Sequence, residues 1–246
     1  MKCRFRVLTV LLVFLVVPGV FVLWEMSGGF ADDIPEFPPE MEGHVMYYDL
    51  TTRVIFGTPL GPVVAETTDL IRHEVGPSND GMAYAKSDPV EGEADVVEFE
   101  NGKHAILLPG SIRHGLLYAL YTRGDPVHDG RVSIAMFGRT DDTIVLTELE
   151  YPKIVMFKDL ADPITVQRVT PKTIEDLIGL GYSIERVEIE PGRDRPRYTD
   201  EIEAFLPWLS EWPRNSALDG ARYREHDAIN QTANSLGSSS FIRNNR

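Results

Sequence analysis

The sequence predicts an α+β, mainly β fold: a single N-terminal transmembrane helix, then one antiparallel β-rich domain with two or three short helices. Residues 7–24, VLTVLLVFLVVPGVFVLW, carry no charge. Roughly seven runs rich in β-branched and aromatic residues follow, divided by Gly, Pro and Asn. No alternating βαβ rhythm runs through the chain, which argues against a doubly wound parallel sheet.

As a helix the uncharged run spans about 27 Å, just enough for a hydrocarbon core of about 30 Å. Arg4 and Arg6 can snorkel at one end, and Trp24 suits the other interface. Basic residues precede the run and Glu25, Asp32 and Asp33 follow it, so the positive-inside rule sends the N-terminus (1–6) to the cytoplasm and the remainder outward. A cleaved signal peptide is the alternative, with weak cleavage sites at Ser27/Gly29 or Gly29/Ala31. The apolar run continues past Gly19, which favours an anchor. Residues 25–43, rich in Pro, Gly and acid, read as a linker.

Residues 44–212 read as the β-rich periplasmic domain. In 44–75 two strand-like runs flank Gly57-Thr58-Pro59-Leu60-Gly61, which predicts a long hairpin. Residues 76–90 read as a polar loop. In 90–110, Asn101-Gly102 predicts a two-residue hairpin turn with two positive φ angles. Ser111 is placed to cap a short helix over 111–122, and 131–137 resemble a strand. Strands are expected at 143–149, 151–158 and 165–169, with Ile154 and Met156 on one face and Val155 and Phe157 on the other. Thr170 and Pro171 predict the start of a helix ending at Gly179–Gly181. Residues 182–190 alternate apolar and charged, as a half-buried strand does. Thr199 or Asp200 should cap a helix over EIEAFLPWLSEW, with Asp200 and Glu203 forming a capping box if Asp200 is the cap. Residues 213–246 are polar and read as a disordered tail.

The formal net charge is −14, and all 38 acidic residues lie after residue 24. Such a surface repels phosphate backbones, so nucleic acid is excluded as an expected partner. The single cysteine, Cys3, precedes the apolar run. The exported part therefore has no internal disulfide, thiolate zinc site or thiol nucleophile.

Phosphate-loop, dinucleotide, zincin and nucleophile-elbow motifs are all absent. Of six histidines (His44, His73, His104, His114, His128 and His226), none is paired with another at i+2 or i+4. Ser111 and His114 could meet on one helix face, but capping and surface exposure explain them better. Asp32-Asp33 and Asp141-Asp142 could begin a calcium site, though a solvated loop accounts for them. In YPKIVMFKDLADPITVQRV, residues 151–169, Asp159 and Asp162 sit three apart. Asp162-Pro163 is a turn-initiating dipeptide, so backbone capping outweighs metal binding or catalysis there. No catalytic, cofactor-binding or metal-ligating residue is assigned, and no cofactor is expected. Asn230-Gln231-Thr232 fits a glycosylation sequon and is read as chance.

The same stretch carries a resemblance. Tyr151, Pro152, Val155, Phe157, Asp159, Asp162, Pro163 and Val166 match a YP-L-VTF-D--DP-SV pattern. Ile184, Val187 and Ile189 then match a strand, and Ile202, Glu203 and Leu206–Leu209 a closing IE--LPWL. Together these resemble a family of uncharacterised proteobacterial proteins with an N-terminal apolar segment, over roughly residues 45–210. The resemblance implies location and modularity, and supplies no mechanism.

The expected function is a membrane-tethered periplasmic domain of the bacterial inner membrane, held by residues 7–24. It would bind an envelope protein partner or play a structural part. The alternative is an exported hydrolase in which Asp159 and Asp162 converge with His104 or His114.

Overall fold

The computed structural model describes residues 45–77, 83–110, 143–191 and 198–244, all within one unit spanning residues 41–246. Mainly antiparallel β-structure with a few short helices is what the sequence predicts and what the structure contains. Among the described residues no helix is long and apolar enough to cross a membrane; the 7–24 run lies outside them.

Among the described residues ten strands form two sheets. β1 (Val45–Gly57) and β2 (Val63–Pro77) make the expected hairpin. Its turn is closed by the Thr58 hydroxyl on the Gly61 carbonyl and by Gly61 N–H on the Thr58 carbonyl, with Gly61 at φ +123°. β3 (Ala83–Glu93) pairs with β2, and β4 (Asp95–Glu98) with β5 (His104–Leu107). β6 (Ile144–Val145), β7 (Ile154–Phe157), β8 (Val166–Val169), β9 (Ser183–Pro191) and β10 (Ile242–Asn244) complete the set. One sheet runs β10-β3-β2-β1-β9-β6, the other β4-β5-β7-β8, and every pairing is antiparallel. The helices are α1 (Ile174–Leu177), α2 (Glu201–Phe205) and α3 (Gln231–Ser235).

The four-stranded sheet is covered on both faces. Ile154 and Met156 of β7 join one core with Val54, Phe56 and Ile71 of the larger sheet. Val155 and Phe157 face the other way, into a core with Ile202, Leu206, Leu236 and Phe241. The two-faced burial expected for this strand is therefore real, and all four of its residues are buried.

Five expectations fail for identifiable reasons. The sequence predicts a polar loop over 76–90, but β3 is held by ladders to β2 on one side and β10 on the other. Strand 143–149 shrinks to Ile144–Val145, followed by a 3-10 turn over Glu148–Glu150. The 101–102 turn is not a two-residue loop with two positive φ angles. Gly102 N–H bonds the Phe99 carbonyl, Phe99 N–H bonds Lys103, and only Gly102 is left-handed, at φ +76°. This is a four-residue turn followed by a glycine bulge. The Asn101 side chain holds this turn, donating to the Ile178 carbonyl at 2.8 Å and accepting from Lys103 N–H at 3.0 Å. The Asp200–Glu203 capping box is also missing: Asp200 is itself left-handed at φ 61° and makes no side-chain cap.

The fifth concerns residues 213–246. They are not a disordered tail across the described part: 213–244 wrap the open face of the four-stranded sheet. Composition hides this, because Leu218, Ala233, Leu236 and Phe241 are spaced too widely for a periodic signal, yet each is at most 2 % exposed. Ala94 N–H bonds the Phe241 carbonyl at 2.8 Å, and β10 extends the larger sheet beside it.

Candidate functional site

The strand–turn–strand unit uses its aspartates as turn formers. Asp159 Oδ1 accepts from Ala161 N–H at 2.9 Å, and Asp162 Oδ1 from Ile164 N–H at 3.2 Å. The Thr165 hydroxyl ties both residues together, lying 2.9 Å from the Asp159 carbonyl and 2.7 Å from that of Asp162. Asn230 then grips this turn from the C-terminal segment. Its amide nitrogen donates to the carbonyls of Ile164 and Val166, at 2.6 and 2.9 Å. Its oxygen caps α3, accepting from Thr232 and Ala233 N–H. The sequon asparagine is thus a structural clamp.

Among the described residues His104 is a buried histidine. It ends the β5–β7 ladder: the backbone pairs stop at Ile106–Val155, and Phe157 N–H donates instead to His104 Nε2 at 3.1 Å. An accepting Nε2 fixes the neutral tautomer with its proton on Nδ1. Burial lowers the imidazole pKa below its usual value, against the partial opposition of Glu98. Phe205 packs edge-on at 5.1 Å between ring centres.

A cavity of about 740 Å³ opens beside this ring, lined among others by His104, Asp159, Asp176, Lys103 and Gln167. The structure thus brings His104 and Asp159 to one cleft, while Asp162 is not in its wall. Ser111, His114, His128, Asp141, Asp142, His44, Asp32 and Asp33 lie outside the described residues, and His226 is exposed in the C-terminal segment. Among the described residues no three His, Cys, Asp or Glu side chains are grouped to hold a metal.

A second cavity, of about 520 Å³, went unnoticed in the sequence. Lys153, Arg214, Arg224 and Arg243 line it, with Glu203 as the one carboxylate among the described lining residues. Serines 210, 235, 238, 239 and 240 add hydroxyls, and Trp212 an indole. Three donors at this wall have no partner: Ser238 Oγ, Trp212 Nε1 and Arg243 Nε. Ser238 is only 9 % exposed. Most of the wall comes from the segment read as disordered, so no spacing rule joins these residues. The one visible signal was the Arg and Ser content after residue 210.

Behind this pocket Asp69 is buried on β2. Its Oδ2 accepts from Gly110 N–H at 2.7 Å, and Oδ1 has no partner. Desolvation pushes its pKa up to about 7, against the pull of that hydrogen bond and of the Arg243 charge. Gly92 permits the arrangement, because a Cβ there would lie 2.2 Å from Asp69 Oδ1.

No family model matches the chain, and no curated protein matches it. Among solved structures it is similar to DynF from the dynemicin biosynthesis pathway of Micromonospora chersina, at 13% identity, covering 65% of this chain and 83% of that one. The TM-score of 0.23 is too low for that likeness to bear on fold or function.

Proposed function

We propose that this chain is a membrane-tethered, exported binding module of the bacterial envelope. Residues 7–24 are its anchor, 25–43 its spacer, and the β-rich domain faces the periplasm. The observation that carries the binding role is the second cavity: four cationic side chains, unpartnered donors and one carboxylate converge there, in a chain where acids outnumber bases 38 to 24. A pocket that reverses the balance of its own surface and leaves donors unused is suited to hold something. The His104 cleft supports this reading from the other side. There the imidazole Nε2 and the Asp159 carboxylate already serve as acceptors for backbone amides.

The tether is tested by fractionating cells that express the whole chain and treating spheroplasts with protease. The proposal expects a carbonate-resistant membrane protein whose β-domain is digested in spheroplasts and shielded in intact cells. A soluble chain, or one protected in spheroplasts, overturns it.

A second reading, an exported hydrolase, is favoured by one observation: His104 and Asp159 share a cleft. It requires hydrolysis of an ester panel by the intact chain that disappears in D159N, an exposed-site change. An inert chain removes it.

A further inference from the structure

We infer that the cavity between the C-terminal segment and the β3 edge is a binding site for a phosphate monoester group. This rests on the binding-module reading and names the ligand of that pocket. Charge comes first. Arg214, Arg224 and Arg243 against Glu203 leave a formal excess of two positive charges among the described lining residues, which suits a dianion better than a carboxylate. Donor chemistry comes second. A phosphate presents three or more acceptor oxygens in a tetrahedron, and guanidinium forks and hydroxyls serve them from several directions. The wall supplies donors of that kind from several elements: Arg214 beyond α2, Ser238 in the 3-10 turn after α3, and Arg243 on β10.

The third observation is independent of charge. Ser238 Oγ, Trp212 Nε1 and Arg243 Nε are buried without a hydrogen-bond partner. An unused buried donor is costly, and three on residues of one wall are satisfied when an acceptor entering the cavity draws them to its surface. Gly110 secures the place of the arginine: at φ +58° it is left-handed, and a Cβ there would lie 3.0 Å from Arg243 Cζ. Glu203 accepts from a hydroxyl of the ester's organic part or from a protonated phosphate oxygen. The volume, about 520 Å³, holds a phosphate with a small body attached.

The test uses the full-length chain in detergent micelles. Tryptophan fluorescence is followed while sodium phosphate, glycerol 3-phosphate or dihexanoyl phosphatidic acid is added, against sodium chloride at equal ionic strength. The inference expects saturable quenching or enhancement by phosphate compounds and not by chloride. It expects the R214A/R224A double variant to weaken binding about tenfold or more. Both side chains are exposed, so the variant should fold, which an unchanged thermal midpoint checks. Tighter binding of phosphatidic acid than of glycerol 3-phosphate identifies a lipid headgroup as the source. Equal binding identifies a soluble ester. No saturable response to any phosphate probe, or a double variant that binds as the parent does, overturns the assignment. That failure in a chain that still fractionates as an exported membrane protein leaves the tethered module standing. A cytoplasmic chain that binds phosphate does the reverse.

Discussion

Phe157 N–H donates to His104 Nε2 at 3.1 Å, so a side chain replaces the next backbone rung between β5 and β7. This bond is available only to a neutral ring. The folded pKa of His104 is lowered by burial, so the unfolded chain takes up protons first as pH falls. The contribution of His104 to stability is full above about pH 6.5, its unfolded value, and is lost as pH falls towards the folded value. Urea denaturation from pH 7.5 to 4.5 should show this loss, and H104Q, which keeps an acceptor but does not titrate, should lack it. H104A should cost on the order of 2–4 kcal/mol at pH 7.5, through an unpaired buried amide and a cavity.

Asp69 acts in the opposite direction. Its folded pKa of about 7 lies above the ordinary 3.8, so the folded chain holds its proton longer than the unfolded one. The stability it gives is complete below about pH 4 and is lost as pH rises through 7, by on the order of a few kcal/mol. In D69N the decline between pH 4 and 8 should flatten. An unchanged slope of stability against pH would contradict a buried, proton-holding Asp69.

The C-terminal segment is predicted to matter to the whole fold. Phe241 is fully buried and packs 6.0 Å from Phe157 between ring centres. F241A should cost about 3–5 kcal/mol in chemical denaturation. A cost under about 0.5 kcal/mol, normal for an exposed site, would return residues 213–246 to the status of a tail.

What the sequence made legible was local. The β1–β2 hairpin, the two faces of β7 and the Asp159 and Asp162 turns follow from neighbours a few residues apart. The C-terminal wrap was not legible, because Leu218, Leu236 and Phe241 acquire their burial from a sheet formed far upstream. The basic pocket was hidden for the same reason, since Lys153 and Arg243 meet only after that wrap. His104 looked like any strand histidine until its ring was seen to replace a backbone acceptor.

Asn230 joins the two parts. N230A removes two bonds to the 164–166 turn and two caps on α3. The expected loss is about 2–3 kcal/mol, beyond the ~1 kcal/mol of an ordinary cap. Thermal unfolding of N230A beside N230D, which keeps the cap alone, separates the two contributions.

The claim that binding occurs at the basic pocket, and not in the His104 cleft, is tested most directly by hydrogen exchange on the intact chain with and without a small-molecule extract of the envelope. The account predicts slowed exchange confined to that pocket's wall, residues 90, 153, 209–214, 224 and 235–243. Slowed exchange at residues 102–104 and 156–160 instead, or none anywhere, would contradict it.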